Sequence, residues 1–268
     1  MAAEPHFSAA TWRSRAVDTA CQAIDVGLAP QSTSGLADSL DPSTMSPLPR
    51  SSWKLLTSLL LLSVVPVVAG TVRLSGLSSG RVTPDNARFV AMPAPVVLHI
   101  VCASLFCVLG ALQFDSALRQ RFPRLHRVAG RVAASCGIVA ALTGVWMTAA
   151  YDIPATLQGP LLYGVRWVVG LVMALAVVVS VHAVLKRRIA QHKAWMVRAY
   201  ALGQGAGTQV LILLPVTLMA GAPTFFFRDV LMASAWGLNA LFAEWIIRRR
   251  LPSTFFHPHF PPHPRSSP

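Results

Sequence analysis

The chain has 268 residues, of which 54% are hydrophobic and 12% charged, and its formal net charge is +13. A soluble domain carries roughly 25% charged residues, so this composition excludes an ordinary soluble fold. No nucleophile triad, phosphate-binding loop or zinc-ligand spacing is present, which argues against a hydrolase or a kinase.

Residues 1–53 hold half of the chain's ten acids (Glu4, Asp18, Asp25, Asp38 and Asp41) among many Ser, Ala, Thr and Pro. They contain no apolar core of signal-peptide type, and their acids argue against a mitochondrial presequence. A disordered tail is expected there, with a short helix near 10–27. The chain then turns apolar at 54–74, 92–114, 128–150, 162–186, 196–220 and 229–247. A helix of about 20 apolar residues crosses the hydrocarbon core of a bilayer. The expected fold over 54–250 is therefore all-α, an integral membrane bundle of six transmembrane helices. Residues 251–268 are Pro-rich and carry His257, His259 and His263. A disordered tail is expected again, with a metal-binding tract as the alternative. Cys102, Cys107 and Cys136 fall within spans and Cys21 in the tail, with no C-x-x-C spacing and no disulfide framework.

Charge sets the expected sidedness. Arg119, Arg121, Arg124, Arg127 and Arg131 fill one gap between spans, and Lys186, Arg187, Arg188, Lys193 and Arg198 fill another. With Arg50 and Lys54 before the first span and Arg248, Arg249 and Arg250 after the sixth, one face holds fifteen cations. The other face holds five: Arg73, Arg81, Arg88, Arg166 and Arg228. Cationic connectors stay in the cytoplasm, so both termini are expected to be cytoplasmic, in a membrane the sequence does not specify. The basic face is expected to meet anionic lipids. Nucleic acid is an unsuitable partner, because the cations are divided among short connectors.

Polar groups within hydrocarbon are costly and usually face the bundle interior. His99 lies in the second span, His126 just before the third, His182 near the inner end of the fourth, and His192 at the opening of the fifth. Such a series suggests haem ligation, which places two imidazoles at one depth. At 1.5 Å rise per residue, His99 and His182 differ by about 16 Å in depth, so they cannot share an iron. Any two of His126, His182 and His192 can form an inner site. His99 then needs an outer partner: Met147, Met219 or Met232 as a ligand, or Tyr163 or Arg166 as a hydrogen-bond partner. The blander alternatives are contact of His126 and His192 with lipid headgroups from basic loops, and snorkelling of His182.

Glu244 reads as the only acid well inside a span. A lone carboxylate costs about 3 kcal/mol on insertion scales, so it needs a cation or a proton. Arg198 is the expected partner, with His192 second. Gln204 and Asn239 complete the structural or proton-linked polar set with these two. Ala199, Gly203 and Gly207 form a small-residue row on the fifth span. Such rows allow close helix approach and make that span a candidate surface for a homo-oligomer.

The segments Asp85-Asn86-Ala87-Arg88-Phe89, Leu98-His99-Ile100 and Leu112-Gln113-Phe114 resemble a family of predicted membrane proteins, domain of unknown function 2306. So do Leu125-His126-Arg127 with Gly130-Arg131, the run from His192 through Trp195, Met196, Arg198 and Tyr200 to Ala201, and Asn239 with Glu244-Trp245. The resemblance covers about residues 55–250 and implies a multi-pass membrane fold without naming an activity. A weaker resemblance goes to the two-haem transmembrane cytochromes b that use ascorbate. It implies ligand roles for His99, His126 and His192. The position where a fourth ligand is expected holds Tyr163, Gly164, Val165, Arg166 and Trp167 instead.

These observations support a multi-pass membrane protein that is not a classical enzyme. The leading expectation is binding of haem b or a quinone-like cofactor through His99, His126, His182 and His192 for oxidoreductase-type transmembrane redox chemistry. No metal beyond haem iron is expected. The alternative is a cofactor-free transporter, a lipid-interacting protein or a membrane scaffold. No inverted repeat and no matched pair of broken spans is evident in the sequence.

Overall fold

The computed structural model describes residues 53–250 except Asp85. The expected tails over 1–53 and 251–268, the helix near 10–27, Cys21 and the histidines of the C-terminal tract lie outside the described residues, Trp53 excepted.

Nine helices make up the described chain, and no strand occurs among these residues. They are α1 Trp53–Ser78, α2 Ala87–Ala91, α3 Pro93–Gln113, α4 Ser116–Arg121, α5 Pro123–Ala150, α6 Pro160–Leu185, α7 Ile189–Gly203, α8 Gly205–Ala220 and α9 Phe225–Arg250. Six spans are long and apolar enough to cross a membrane, with α7 and α8 together forming the fifth. Three spans begin with proline in the first turn: Pro93, Pro123 and Pro160. Proline fits there because the first helical N–H groups have no partner within the helix and its fixed φ suits a helix start.

Several helices run past their apolar portion. The third span starts at Pro123 and the fifth at Ile189, earlier than hydropathy places them. His126 and His192 therefore lie on helices, not in loops. The physical reason is that Arg and Lys stems can lie along apolar surface while their charges reach the interface, so a helix can continue where hydropathy has already fallen.

The fifth span is central. Its first half packs against the second, fourth and sixth spans, and its second half against the first and sixth. The second and third spans also pair closely, as do the third and fourth. The core is built from small residues around a few large ones: Ala133, Ala134, Ala176 and Ala199 with Phe106, Met173 and Tyr200. Lipid is as apolar as leucine, so spans associate through close packing and hydrogen bonds. Phe106 shows this directly. A Cβ at Gly137 would stand 2.8 Å from its ring, and one at Gly203 would stand 2.5 Å away. The ring is held between two helix backbones.

The small-residue row of the fifth span thus faces inward. Ala199 is fully buried, Gly203 meets Phe106, and Gly207 meets Leu62 of α1. The surface behind the self-association expectation is occupied within one chain.

Candidate functional site

Three polar groups occupy different depths of the bundle. At the basic end, the fourth and fifth spans are joined by 186–188, where Arg187 takes a left-handed conformation with φ 57° and the Arg188 amide donates to the Ala183 carbonyl at 2.8 Å. This tight reversal brings Ser180 against His192. The Ser180 hydroxyl donates to the His192 carbonyl at 3.0 Å. With its proton engaged, that hydroxyl accepts from His192 Nδ1 at 2.8 Å, and the Ser180 carbonyl accepts from the same nitrogen at 3.1 Å. Two acceptors fix the proton on Nδ1 and leave Nε2 as a lone pair. His126 is close enough to His192 to interact electrostatically, as are Arg119 and Arg127 with His126. His182 is exposed. It lies two residues beyond Ser180, hence about 200° further round the helix, away from the face that meets His192.

At middle depth the fifth span is interrupted at Gln204, between α7 and α8. The Tyr200 hydroxyl donates to the Cys107 carbonyl at 2.8 Å, and the Ser63 hydroxyl donates to the Leu59 carbonyl at 2.8 Å. Gln204 Nε2 donates to both hydroxyls, at 2.6 Å to Tyr200 and 2.8 Å to Ser63. One amide thereby ties together the first, second and fifth spans. Its Oε1 is buried without a hydrogen-bond partner. Nearby, Asn239 Nδ2 donates to the Ala201 carbonyl at 2.9 Å and its Oδ1 accepts from Thr208 at 3.0 Å. Nearer the basic end, Arg198 holds Glu244 through two hydrogen bonds, Nε to Oε1 at 2.5 Å and Nη2 to Oε2 at 3.1 Å. The Arg198 guanidinium also lies 4.7 Å from the centre of the Trp195 ring.

The opposite end contains a cavity of about 540 Å³. His99 lines it from the second span. His99 Nδ1 lies 2.9 Å from the Ala140 carbonyl and 3.2 Å from Thr143 Oγ1. The Thr143 hydroxyl donates to the Val139 carbonyl at 2.6 Å, so both neighbours of Nδ1 are acceptors. Nδ1 carries the proton and Nε2 is bare. A Cβ at Gly144 would lie 3.3 Å from the imidazole, so glycine gives the ring its room. Arg73, Arg88, Arg166 and Arg228 line the same cavity, as do Met147, Met173, Ile100 and Phe106. Arg166 donates to Gln158 Oε1, and Arg228 donates to the Leu157 carbonyl. Both bonds anchor the connector between the third and fourth spans.

Asp229 corrects the reading of Glu244 as the only acid well inside a span. The sixth span, α9, begins at Phe225, and Asp229 within it is 2% exposed. Its Oδ1 accepts from the Gly159 amide at 3.1 Å and its Oδ2 from the Leu162 amide at 3.0 Å. A carboxylate is favoured at a helix N-terminus, where amides lack partners. Hydropathy gave no sign of this contact between distant segments. Of the methionines considered for an outer site, Met147 lines the cavity, whereas Met219 is 89% exposed on the fifth span. The Met232 carbonyl accepts from Gln209.

The sequence profile of DUF2306, described as a predicted membrane protein, matches residues 96–247. The chain belongs to the DUF2306 family. It is a multi-pass integral membrane protein. No curated protein and no solved structure matches it. The DUF2306 match takes in His99, His126, His192, Arg166 and Arg228, while the first span, with Ser63 and Arg73, precedes it. Among the described residues, no group of three or more His, Cys, Asp or Glu side chains is arranged to hold a metal ion. A haem needs fewer protein donors than that, because its axial ligands can be one or two side chains.

Proposed function

We propose that this DUF2306 protein binds a redox cofactor, haem b or a quinone-like ring, in the cavity of the arginine-lined half, with His99 as its protein contact. The supporting observation is the imidazole of His99, pinned through Nδ1 beside a chamber of about 540 Å³. A second hydrogen bond that fixes the ring and its tautomer is the arrangement used for metal-ligating histidines. The same bare nitrogen can accept a quinol O–H. Met147 and Met173 line the chamber and offer a thioether, an established axial partner for a haem histidine. His192, held in the same way by Ser180 and within electrostatic reach of His126, supplies a second position near the basic end. Two such positions suit an electron carrier more than a classical enzyme. The basic face is the cytoplasmic one in this reading, and its connectors contact anionic lipids.

The test is the absorption spectrum of purified full-length protein, oxidised and reduced, with solvent extraction of quinone. The expected result is a Soret band or an extractable quinone, lost in His99→Ala while helicity is retained. A wild-type protein with neither overturns the proposal.

A cofactor-free transporter is the second reading. The interruption of the fifth span at Gln204, with an unpartnered buried oxygen, favours it, because transporters build midplane sites from broken helices. Solute uptake into vesicles by a protein without a chromophore, abolished in Gln204→Leu, would select this reading.

A further inference from the structure

We propose that the outer cavity takes an amphiphilic anion, with a multiply charged oxyanion head (a phosphate monoester or paired carboxylates) held by Arg73, Arg88, Arg166 and Arg228. This goes beyond the redox reading, because it concerns the charge of the occupant and holds whether or not that occupant carries a redox ring.

The charge pattern is unbalanced. Cations are disfavoured at the non-cytoplasmic ends of spans, and only five occur at this end. Four of those five line one cavity, although they come from four different elements, α1, α2, α6 and α9. The arrangement is costly unless something compensates it. Like charges repel more strongly where water is scarce, and Arg166 and Arg228 are close enough to interact unfavourably.

Among the described residues, their present partners do not neutralise them. Arg166 bonds a neutral amide oxygen and Arg228 a backbone carbonyl. Arg73 and Arg88 lie against the Phe89 ring, at 4.6 and 4.5 Å from its centre. Among the described residues the one ion pair is Arg198–Glu244 on other parts of the fifth and sixth spans. Of the described acids at this end, Asp152 is exposed and Asp229 has both oxygens serving α6, so two negative charges stand against four positive ones. Guanidinium groups present paired donors that match phosphate and carboxylate oxygens. The rest of the chamber is mostly apolar, with Ile100, Val169, Leu202 and Phe106 among its walls beside the polar His99 and Gln209. Charge at one end and hydrocarbon at the other describe an amphiphile.

The experiment is native mass spectrometry of the full-length protein in detergent, with an equimolar mixture of oleoyl lysophosphatidate and oleoyl lysophosphatidylcholine. The two lipids share a tail and differ in head-group charge. Binding is measured on wild type and on His99→Ala, which in the redox reading has lost any ring. In His99→Ala the anionic lipid is expected to be favoured by about tenfold or more, the range for charge-assisted hydrogen bonds. The preference is expected to fall to near unity when Arg166→Gln and Arg228→Gln are added, and to persist with Arg81→Gln. Because Arg166 and Arg228 also anchor a connector, the pair Arg73→Gln and Arg88→Gln serves as a second test that leaves those anchors intact. Equal binding of the two lipids in His99→Ala, or a preference untouched by either arginine pair, overturns the proposal. Displacement by glycerol 3-phosphate as effective as by the oleoyl compound overturns the amphiphile, since a soluble oxyanion would then suffice. The spectra keep the two readings apart. A wild type with neither a Soret band nor extractable quinone, whose His99→Ala form selects the anionic lipid, removes the redox cofactor alone, and a wild type that carries either one, whose His99→Ala form does not select, removes the anion alone.

Discussion

Gly207→Ala tests the packing that positions every polar group described above. The added Cβ would stand 2.5 Å from the Leu62 carbonyl oxygen and 2.9 Å from two of its side-chain carbons. The side-chain atoms can rotate, but the carbonyl belongs to the backbone of α1. Restoring ordinary contact, which begins at 3.4 Å, requires the first span to retreat by about 0.9 Å, and overpacking of this kind costs about 1–3 kcal/mol. The retreat carries Ser63 with it. The 2.8 Å bond from Gln204 would then stretch towards the limit of a hydrogen bond, with a loss of about 0.6 kcal/mol by the average measured between membrane helices. Replacing glycine by alanine within a helix returns about 0.5–1 kcal/mol. The net expectation is a destabilisation of about 1–3 kcal/mol, set by the overpacking range. Gly237→Ala is the matched control, because a Cβ there meets nothing within 4 Å and only the helix gain applies. Thermal unfolding of the two detergent-solubilised variants should therefore move in opposite directions from wild type, at about 2–4 °C per kcal/mol for a chain of this size. If Gly207→Ala matched Gly237→Ala, the first span would not be seated on the fifth as described.

Tyr200→Phe removes the hydroxyl that both Gln204 and the Cys107 carbonyl use, and a loss of about 1–3 kcal/mol is expected from the buried groups left unpaired; unfolding indistinguishable from wild type would show that the hydroxyl bridges nothing. Glu244→Gln breaks the Arg198 pair, whose members are 30% and 37% exposed, so solvent screening limits the loss to about 1 kcal/mol or less. A double-mutant cycle with Arg198→Gln should return a coupling of that size, and zero coupling would reduce the pair to an incidental contact. Cysteines placed at Arg119 and Arg187 should react with a membrane-impermeant thiol reagent from one side of the bilayer and a cysteine at Arg81 from the other. Reaction of Arg119 and Arg187 positions from opposite sides would separate His126 from His192 and remove the inner site.

The charges and the apolar segments are legible without a structure because each depends on neighbours along the chain. A span satisfies its backbone hydrogen bonds internally, so about 20 apolar residues suffice to define one, and the alternation of cationic connectors defines which ends belong together. Depth is legible for the same reason, since rise per residue is constant, and His99 duly stands apart from the His126 and His192 end. Rotation is a different matter. Whether His182 or His192 meets Ser180 depends on the turn at 186–188 and on which face of α6 the fifth span covers. Helix start points at the basic end were displaced because hydropathy measures apolarity and not hydrogen bonding.

From sequence alone came six membrane-crossing helices, their shared basic end and the separation of His99 from the histidines of that end, all consequences of local chemistry repeated along the chain. The packed bundle alone decided that four arginines from four elements line one cavity, that Gln204 joins three spans, that Asp229 caps α6 and that the small-residue row lies inside. Those outcomes depend on which helix faces meet, and no stretch of sequence read by itself contains its neighbour's orientation.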